Sequence, residues 1–308
     1  MPAFGVSKSI EIAASKETIF ELVRDFRRWP EWSPWLRAEA DCPLVFAPDG
    51  ESYEWNGKII GAGKAIRVAS IDGQQIDLRL EFIRPFKSTA EVTFSFEETS
   101  EGTRVTWEMA GSLPFFLFWM KPMMVGFIGM DYDNGLQLLK DLAEAGSVPL
   151  KLEFVGVENY PAAPFLGRSG EASLTAVGPV LQREMELLGL SCDEAGISPE
   201  GPPFSIYHEF NPGKDICTFT VGVPFSGSLP STLDPGIRKG QIQEGNVYKT
   251  IVTGPYRHLG TAWSAAMTHA RSKVFPWDKK SPPFEIYESD PSKTEEEDIR
   301  TVILIPAK

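Results

Sequence analysis

Along the first half of the chain, polar and apolar positions change period in an order that outlines a fold. Residues 4–13 alternate, the signature of a strand with one wet face. Ser15 stands where a helix N-cap is expected, and Ile19, Phe20, Val23 and Phe26 fall near one face of the helix that follows. The cluster Trp29-Pro-Glu-Trp-Ser-Pro-Trp35 ends that helical region. Period two then returns in Ile76, Leu78, Leu80 and Phe82, in Val92, Phe94 and Phe96, and in Val105, Trp107 and Met109. Turn signals separate these runs at Asp72-Gly73, Arg84-Pro85 and Glu101-Gly102. The pattern predicts a meander of about six antiparallel strands. A long helix over 124–144, with Leu136, Leu139 and Leu142 near its end, closes the half.

The second half repeats itself. Pro202-Pro-Phe-Ser-Ile-Tyr207 returns as Pro282-Pro-Phe-Glu-Ile-Tyr287. Before the first copy, a strand over 150–157 leads through Tyr160-Pro161 into a helix with Val177, Leu181, Met185 and Leu188 along one face. Before the second, a strand over 246–253 leads through Gly254-Pro-Tyr256 into a helix with Trp263, Met267, Ala270 and Val274 along one face. After each copy comes a further strand, 217–224 and 299–306. Each repeat thus reads strand, helix, strand, strand, and one repeat alone leaves a sheet face to be buried by the other or by a ligand. The small-residue stretch 144–149 reads as a linker. It predicts two independently folding domains, 1–147 and 148–308, of the α+β class.

Composition narrows the function. The 308 residues are 42% hydrophobic and 23% charged, ordinary for two globular domains, and the net charge of -12 carries no basic stripe for nucleic acid. Three widely spaced cysteines and an N-terminus without an apolar run predict a reducing, cytoplasmic setting. The most apolar stretch, 114–130, is split by Lys121 and Pro122 into pieces too short to span a bilayer. It reads as a buried helix start or pocket wall, without stable membrane insertion. His208, His258 and His269 lack metal-ligand spacing, and no phosphate loop, dinucleotide fingerprint or nucleophile elbow occurs. No metal and no cofactor are expected, the partner is a small molecule, and the oligomeric state stays open.

The order strand, helices, meander, long helix, with its Ser33-Pro-Trp35 turn, resembles the START-like polyketide cyclase/dehydratase (SRPBCC) superfamily, the helix-grip fold, over residues 3–145. The resemblance implies a ligand cavity, with a cyclase or lipid-carrier role among the alternatives. In the second half, Gly254-Pro-Tyr256 before a helix, Pro283-Phe-Glu-Ile-Tyr287, Asp290-Pro291 and a last strand ending Ile305-Pro-Ala-Lys308 resemble the GyrI-like effector-binding family. That family is the ligand-sensing part of several multidrug-responsive transcription activators. The resemblance implies a pseudo-twofold pair of repeats whose cleft takes up apolar, often cationic, molecules. It also implies a hydrolase alternative, because some stand-alone members open strained electrophilic rings. Where those activators carry a helix-turn-helix, this chain has its START-like half, so their homology transfers without their DNA binding.

Strand alternation puts Phe284 and Ile286 on one face and Glu285 and Tyr287 on the other. The apolar pair is expected to pack on the helices, aiming Glu285 and Tyr287 at the cleft. Ser205, Tyr207 and Glu209 hold the mirrored positions of the first repeat. An acid ringed by aromatics suits a cation, or serves as a general acid or base once burial shifts it. Tyr256 and Trp263, at and inside the second helix start, are candidate cleft walls as well as candidate core. The favoured function is small-molecule binding through Glu285, Tyr287, Tyr207, Tyr256 and Trp263.

Overall fold

The alternating runs of the first half form a seven-stranded antiparallel sheet in the order β1-β7-β6-β5-β4-β3-β2. Its strands are β1 (Ala3–Ile12), β2 (Leu44–Phe46), β3 (Ser52–Asn56), β4 (Ala62–Ile71), β5 (Gln75–Arg84), β6 (Ser88–Thr99) and β7 (Gly102–Ser112). The computed structural model describes residues 3–112, 119–228 and 234–308. They divide into one unit of Met1–Pro149 with Tyr256–Ser272 and a second of Leu150–Pro255 with Lys273–Lys308. In the first unit, α1 (Lys16–Arg24), α2 (Trp29–Trp32) and α3 (Pro34–Ala38) link β1 to β2. Ser15 caps α1 by accepting from the Thr18 amide, as its position predicts.

A single helix, α4 (Lys121–Ala145), follows the meander. Pro122 sits in its first turn, where the absent N–H leaves no bond unmade, so the residue that breaks the apolar run starts a helix. Of that run, residues 114–118 lie outside the described residues. No described helix is long and apolar enough to cross a membrane. Beside the C-terminal half of α4 the interior is aromatic. Trp107 is clamped between Phe94 (centroids 4.8 Å apart) and Tyr132 (4.0 Å), with Trp32 and Trp35 edge-on to it. A helix α6 (Leu259–Arg271), which the repeat pattern assigns to the second half, packs here on α3 and α4.

The second unit is built on an eight-stranded sheet in the order β12-β9-β11-β10-β14-β15-β13-β8. The strands are β8 (Lys151–Tyr160), β9 (Ala163–Ala172), β10 (Phe204–Asn211), β11 (Ile216–Pro224), β12 (Arg238–Ile242), β13 (Gly245–Thr253), β14 (Phe284–Tyr287) and β15 (Arg300–Ala307). The order is symmetric about the β10–β14 junction. The first repeat is β9, α5 (Val177–Glu194), β10 and β11; the second is β13, α6, β14 and β15. Each repeat is also preceded by a strand that joins the other: β8 pairs with β13, and β12 with β9. The sequence pattern assigned the opening strand of the first repeat to 150–157, but that role belongs to β9.

Glycines at 167 and 170 disguised β9. They are required because a Cβ at Gly170 would meet the Phe219 ring at 2.6 Å and one at Gly167 the Val221 carbonyl at 2.7 Å. Gly170 and Phe219 are direct cross-strand partners, the ring covering the glycine.

The aromatic clamp in the first unit makes a stringent test. A Cβ on Gly135 would lie 2.7 Å from Cζ3 of Trp107, whose flanking rings leave it no room to move. Alanine adds up to about 1 kcal/mol of helix propensity. Overpacking against a fixed ring costs about 1–3 kcal/mol, so Gly135→Ala is expected to lower the midpoint of denaturant unfolding. A raised midpoint would contradict the clamp.

Candidate ligand site on the second sheet

Strands β10 and β14 pair with Ser205 opposite Glu285, Phe204 opposite Ile286 and Ile206 opposite Phe284. The repeated Pro-Pro-Phe-x-Ile-Tyr motifs therefore meet head to tail, and Ser205 and Glu285 are symmetry mates on the pseudo-dyad itself. Matching backbone bonds hold the junction, from the Tyr207 amide to the Pro283 carbonyl and from the Tyr287 amide to the Pro203 carbonyl, each 2.9 Å.

Alternation keeps Glu285 and Tyr287 on one face, as the sequence predicts, but the covering elements are the reverse of the expectation. Phe284 and Ile286 pack with strand residues, among them Phe165, Phe204, Val247, Ile251 and Leu304. Tyr207 and Tyr287 pack against the cluster that carries α5, formed by Leu181, Leu188 and Cys192 with Phe219 and Val221. The polar residues thus face the helix side. The helix is locked to β9 by Arg168, which reaches Glu184 at 3.0 Å and Asp234 at 2.6 Å.

At the dyad the side chains converge. Glu285 is 2% exposed, and its Oε1 accepts from the Tyr207 and Tyr287 hydroxyls, each at 2.6 Å. Tyr287 also lies 2.9 Å from Ser205 Oγ. A carboxylate only accepts, so the one Tyr287 proton goes to Glu285 and the serine donates to Tyr287. The result is a directed chain, Ser205 to Tyr287 to Glu285, met on the same oxygen by Tyr207.

Both phenols are held well above the ordinary tyrosine value, first by burial and then by the negative charge of Glu285, so they remain donors. Burial, followed by the charge of Glu285, also pushes the Cys217 thiol up to about 11.

Of the other sequence candidates, Glu209 is exposed. A bulge at His208 shifts the β10–β11 register between Tyr207 and Glu209 and breaks the alternation that would have turned Glu209 inward. His208 bonds Thr220 Oγ1 at 2.8 Å. Tyr256 and Trp263 lie on the segment 256–272 that belongs to the first unit, Tyr256 in a 3₁₀ turn and Trp263 on α6. Ser205 as a donor and Cys217 as a neighbour of the carboxylate went unassigned in the sequence; the repeat marked only the position of Ser205. Among the described residues no His, Cys, Asp or Glu group is arranged to hold a metal.

Because both phenols donate to one oxygen, their removal is expected to be coupled. Tyr207→Phe and Tyr287→Phe each remove a bond to a buried charge, costing about 1–3 kcal/mol of unfolding free energy. The double variant is expected to cost more than the sum, since either phenol partly covers for the other. Strict additivity in denaturant unfolding would contradict the shared-oxygen geometry.

Two family models match the chain. Residues 3–144 match the family described as polyketide cyclase / dehydrase and lipid transport, and residues 181–308 the GyrI-like small molecule binding domain. No curated protein matches. Among solved structures, a START superfamily protein from Mycobacterium smegmatis is 21% identical, with 46% of this chain and 99% of that one covered and a TM-score of 0.35. The Aha1 dimer from Colwellia psychrerythraea is 17% identical over 46% and 98%, with a TM-score of 0.35. The EcmrR C-terminal domain is 14% identical over 52% and 98%, with a TM-score of 0.40. The chain thus joins a START-like domain of polyketide cyclase type to a GyrI-like domain, both of small-molecule-binding types.

Proposed function

We propose that the second domain binds apolar organic cations, with Glu285 as the charge that selects them and the rings of Tyr207 and Tyr287 as flanking walls. The observation that carries this reading is a 2% exposed carboxylate on the dyad that two phenols address through one oxygen. Holding a carboxylate out of water is costly, and a positive charge beside it offsets that cost. An aromatic cation would bring a positive charge to that carboxylate, and tyrosine faces attract the same cation through their quadrupoles. A neutral molecule of the same shape would gain only the apolar contact.

A second reading, a hydrolase acting on strained electrophiles, draws on the Ser205–Tyr287–Glu285 chain. A hydroxyl relay ending on a carboxylate is a route for a proton, with Glu285 as the acid or base. The first domain, by its family type, is a second small-molecule domain. In that domain the rings of Phe94, Trp107 and Tyr132 stack on one another beside α4.

Glu285→Gln keeps the shape and removes the charge. Binding of phenyltrimethylammonium and of its neutral isostere tert-butylbenzene is compared by calorimetry on the full chain. The cation is expected to lose about 1–3 kcal/mol of affinity, the neutral compound little. Equal losses would contradict cation selection. Retained cation binding with a cyclopropyl-electrophile turnover reduced about 10²–10⁴-fold would instead establish the hydrolase.

A further inference from the structure

Helix α6 lies in the chain between β13 and β14, both strands of the second sheet, yet it packs within the first unit. Its packing face is small: Ala262, Ala265, Ala266 and Ala270 are buried at 4% exposure or less. Close approach on that face is matched by polar anchors at both ends. In the turn before α6, His258 is fully buried, and its Nε2 lies 2.8 Å from Asp141 Oδ2 on α4. Arg257 addresses the same oxygen through Nε at 3.0 Å and Nη2 at 2.9 Å. In the last turn, His269 is 4% exposed and its Nε2 lies 2.8 Å from the carbonyl of Ala38, the last residue of α3. Between them, Ser264 donates to Asp131 of α4 at 2.6 Å.

A carboxylate and a carbonyl both accept, so each imidazole donates from Nε2, and in the neutral ring Nδ1 then carries no proton. Charging either ring adds a proton at Nδ1. For His258 that atom is buried without a hydrogen-bond partner among the described residues. We propose that α6 is an acid-sensitive latch, held against α3 and α4 by two buried neutral histidines and let go when those rings are charged.

The surrounding charges do not reverse this. His258 faces Asp141 on α4, which favours the charged ring, but also Arg257 on its own turn and Arg37 on α3, which oppose it. Asp141 is already engaged by the Arg257 guanidinium. His269 faces the carboxylates of Glu39 and Asp41, yet burial outweighs them. Both rings are therefore held below the ordinary histidine value, burial being the largest cause. A group held low in this way takes its proton first in the open state. Its stabilisation is complete above pH about 6.5 and is lost as the pH falls below that value.

Helix α5 is the internal control. It occupies the equivalent place in the first repeat and contains no histidine. Amide hydrogen exchange of the full chain is followed at pH 7.5 and 5.5, each corrected for the intrinsic rate. Protection of residues 259–271 is expected to fall about tenfold at the lower pH, while 177–194 holds. Replacing both rings, His258→Gln with His269→Gln, is expected to remove the difference. Should that variant unfold, the wild-type comparison still decides. Protection of α6 that is unchanged with pH, or that falls in parallel with α5, would overturn the latch.

Discussion

One carboxylate on a symmetry axis governs the second domain. A pseudo-twofold sheet brings residue 205 and residue 285 directly opposite each other, a spacing of roughly 5 Å between side-chain roots. Two glutamates there would repel in a nearly dry setting, so one repeat carries the acid and the other a serine. The tyrosines two positions on remain paired by symmetry, and both turn their hydroxyls onto the same oxygen. Symmetry thus supplies two donors and one charge. The serine opposite the charge completes the set by donating to one of the two tyrosines.

Much of this was legible because the governing pattern is local. The duplicated Pro-Pro-Phe-x-Ile-Tyr motif marks the pair of strands, and period two puts Glu285 and Tyr287 on one face whatever the rest of the chain does. The α+β order and the antiparallel meander follow from alternation and turn residues in the same way. What local pattern does not carry is the identity of the element across the sheet. Phe284 and Ile286 look like a helix-packing pair, yet their partners are other strand residues of the same sheet. Strand β9 was hidden because its glycines are set by Phe219 and the Val221 carbonyl on β11, a strand far along the chain. Glu209 was misassigned because a one-residue bulge at His208 is a property of the ladder, not of the side-chain sequence.

Helix α6 shows the same limit from the other side. Of the stripe Trp263, Met267, Ala270 and Val274 only Ala270 is buried, and Val274 is exposed beyond the helix end. The buried face is instead Thr261, Ala262, Ala265, Ala266, His269 and Ala270, small and polar residues that suit close helix–helix packing. Ser264 donates to Asp131, His269 to the Ala38 carbonyl and, from the turn before the helix, His258 to Asp141, so the two histidines are structural donors. Residues read in sequence as lacking metal chemistry thus have a role in holding a helix.

The claim on which the functional account turns is that an organic cation sits against Glu285. Crystals grown with 4-bromophenyltrimethylammonium locate the compound directly by anomalous scattering from its bromine. The account expects the peak on the α5-bearing face of the second sheet, with the ammonium against the Glu285 carboxylate and the Tyr207 and Tyr287 rings on either side. A compound bound elsewhere, with both phenols still on Glu285 Oε1, would contradict it.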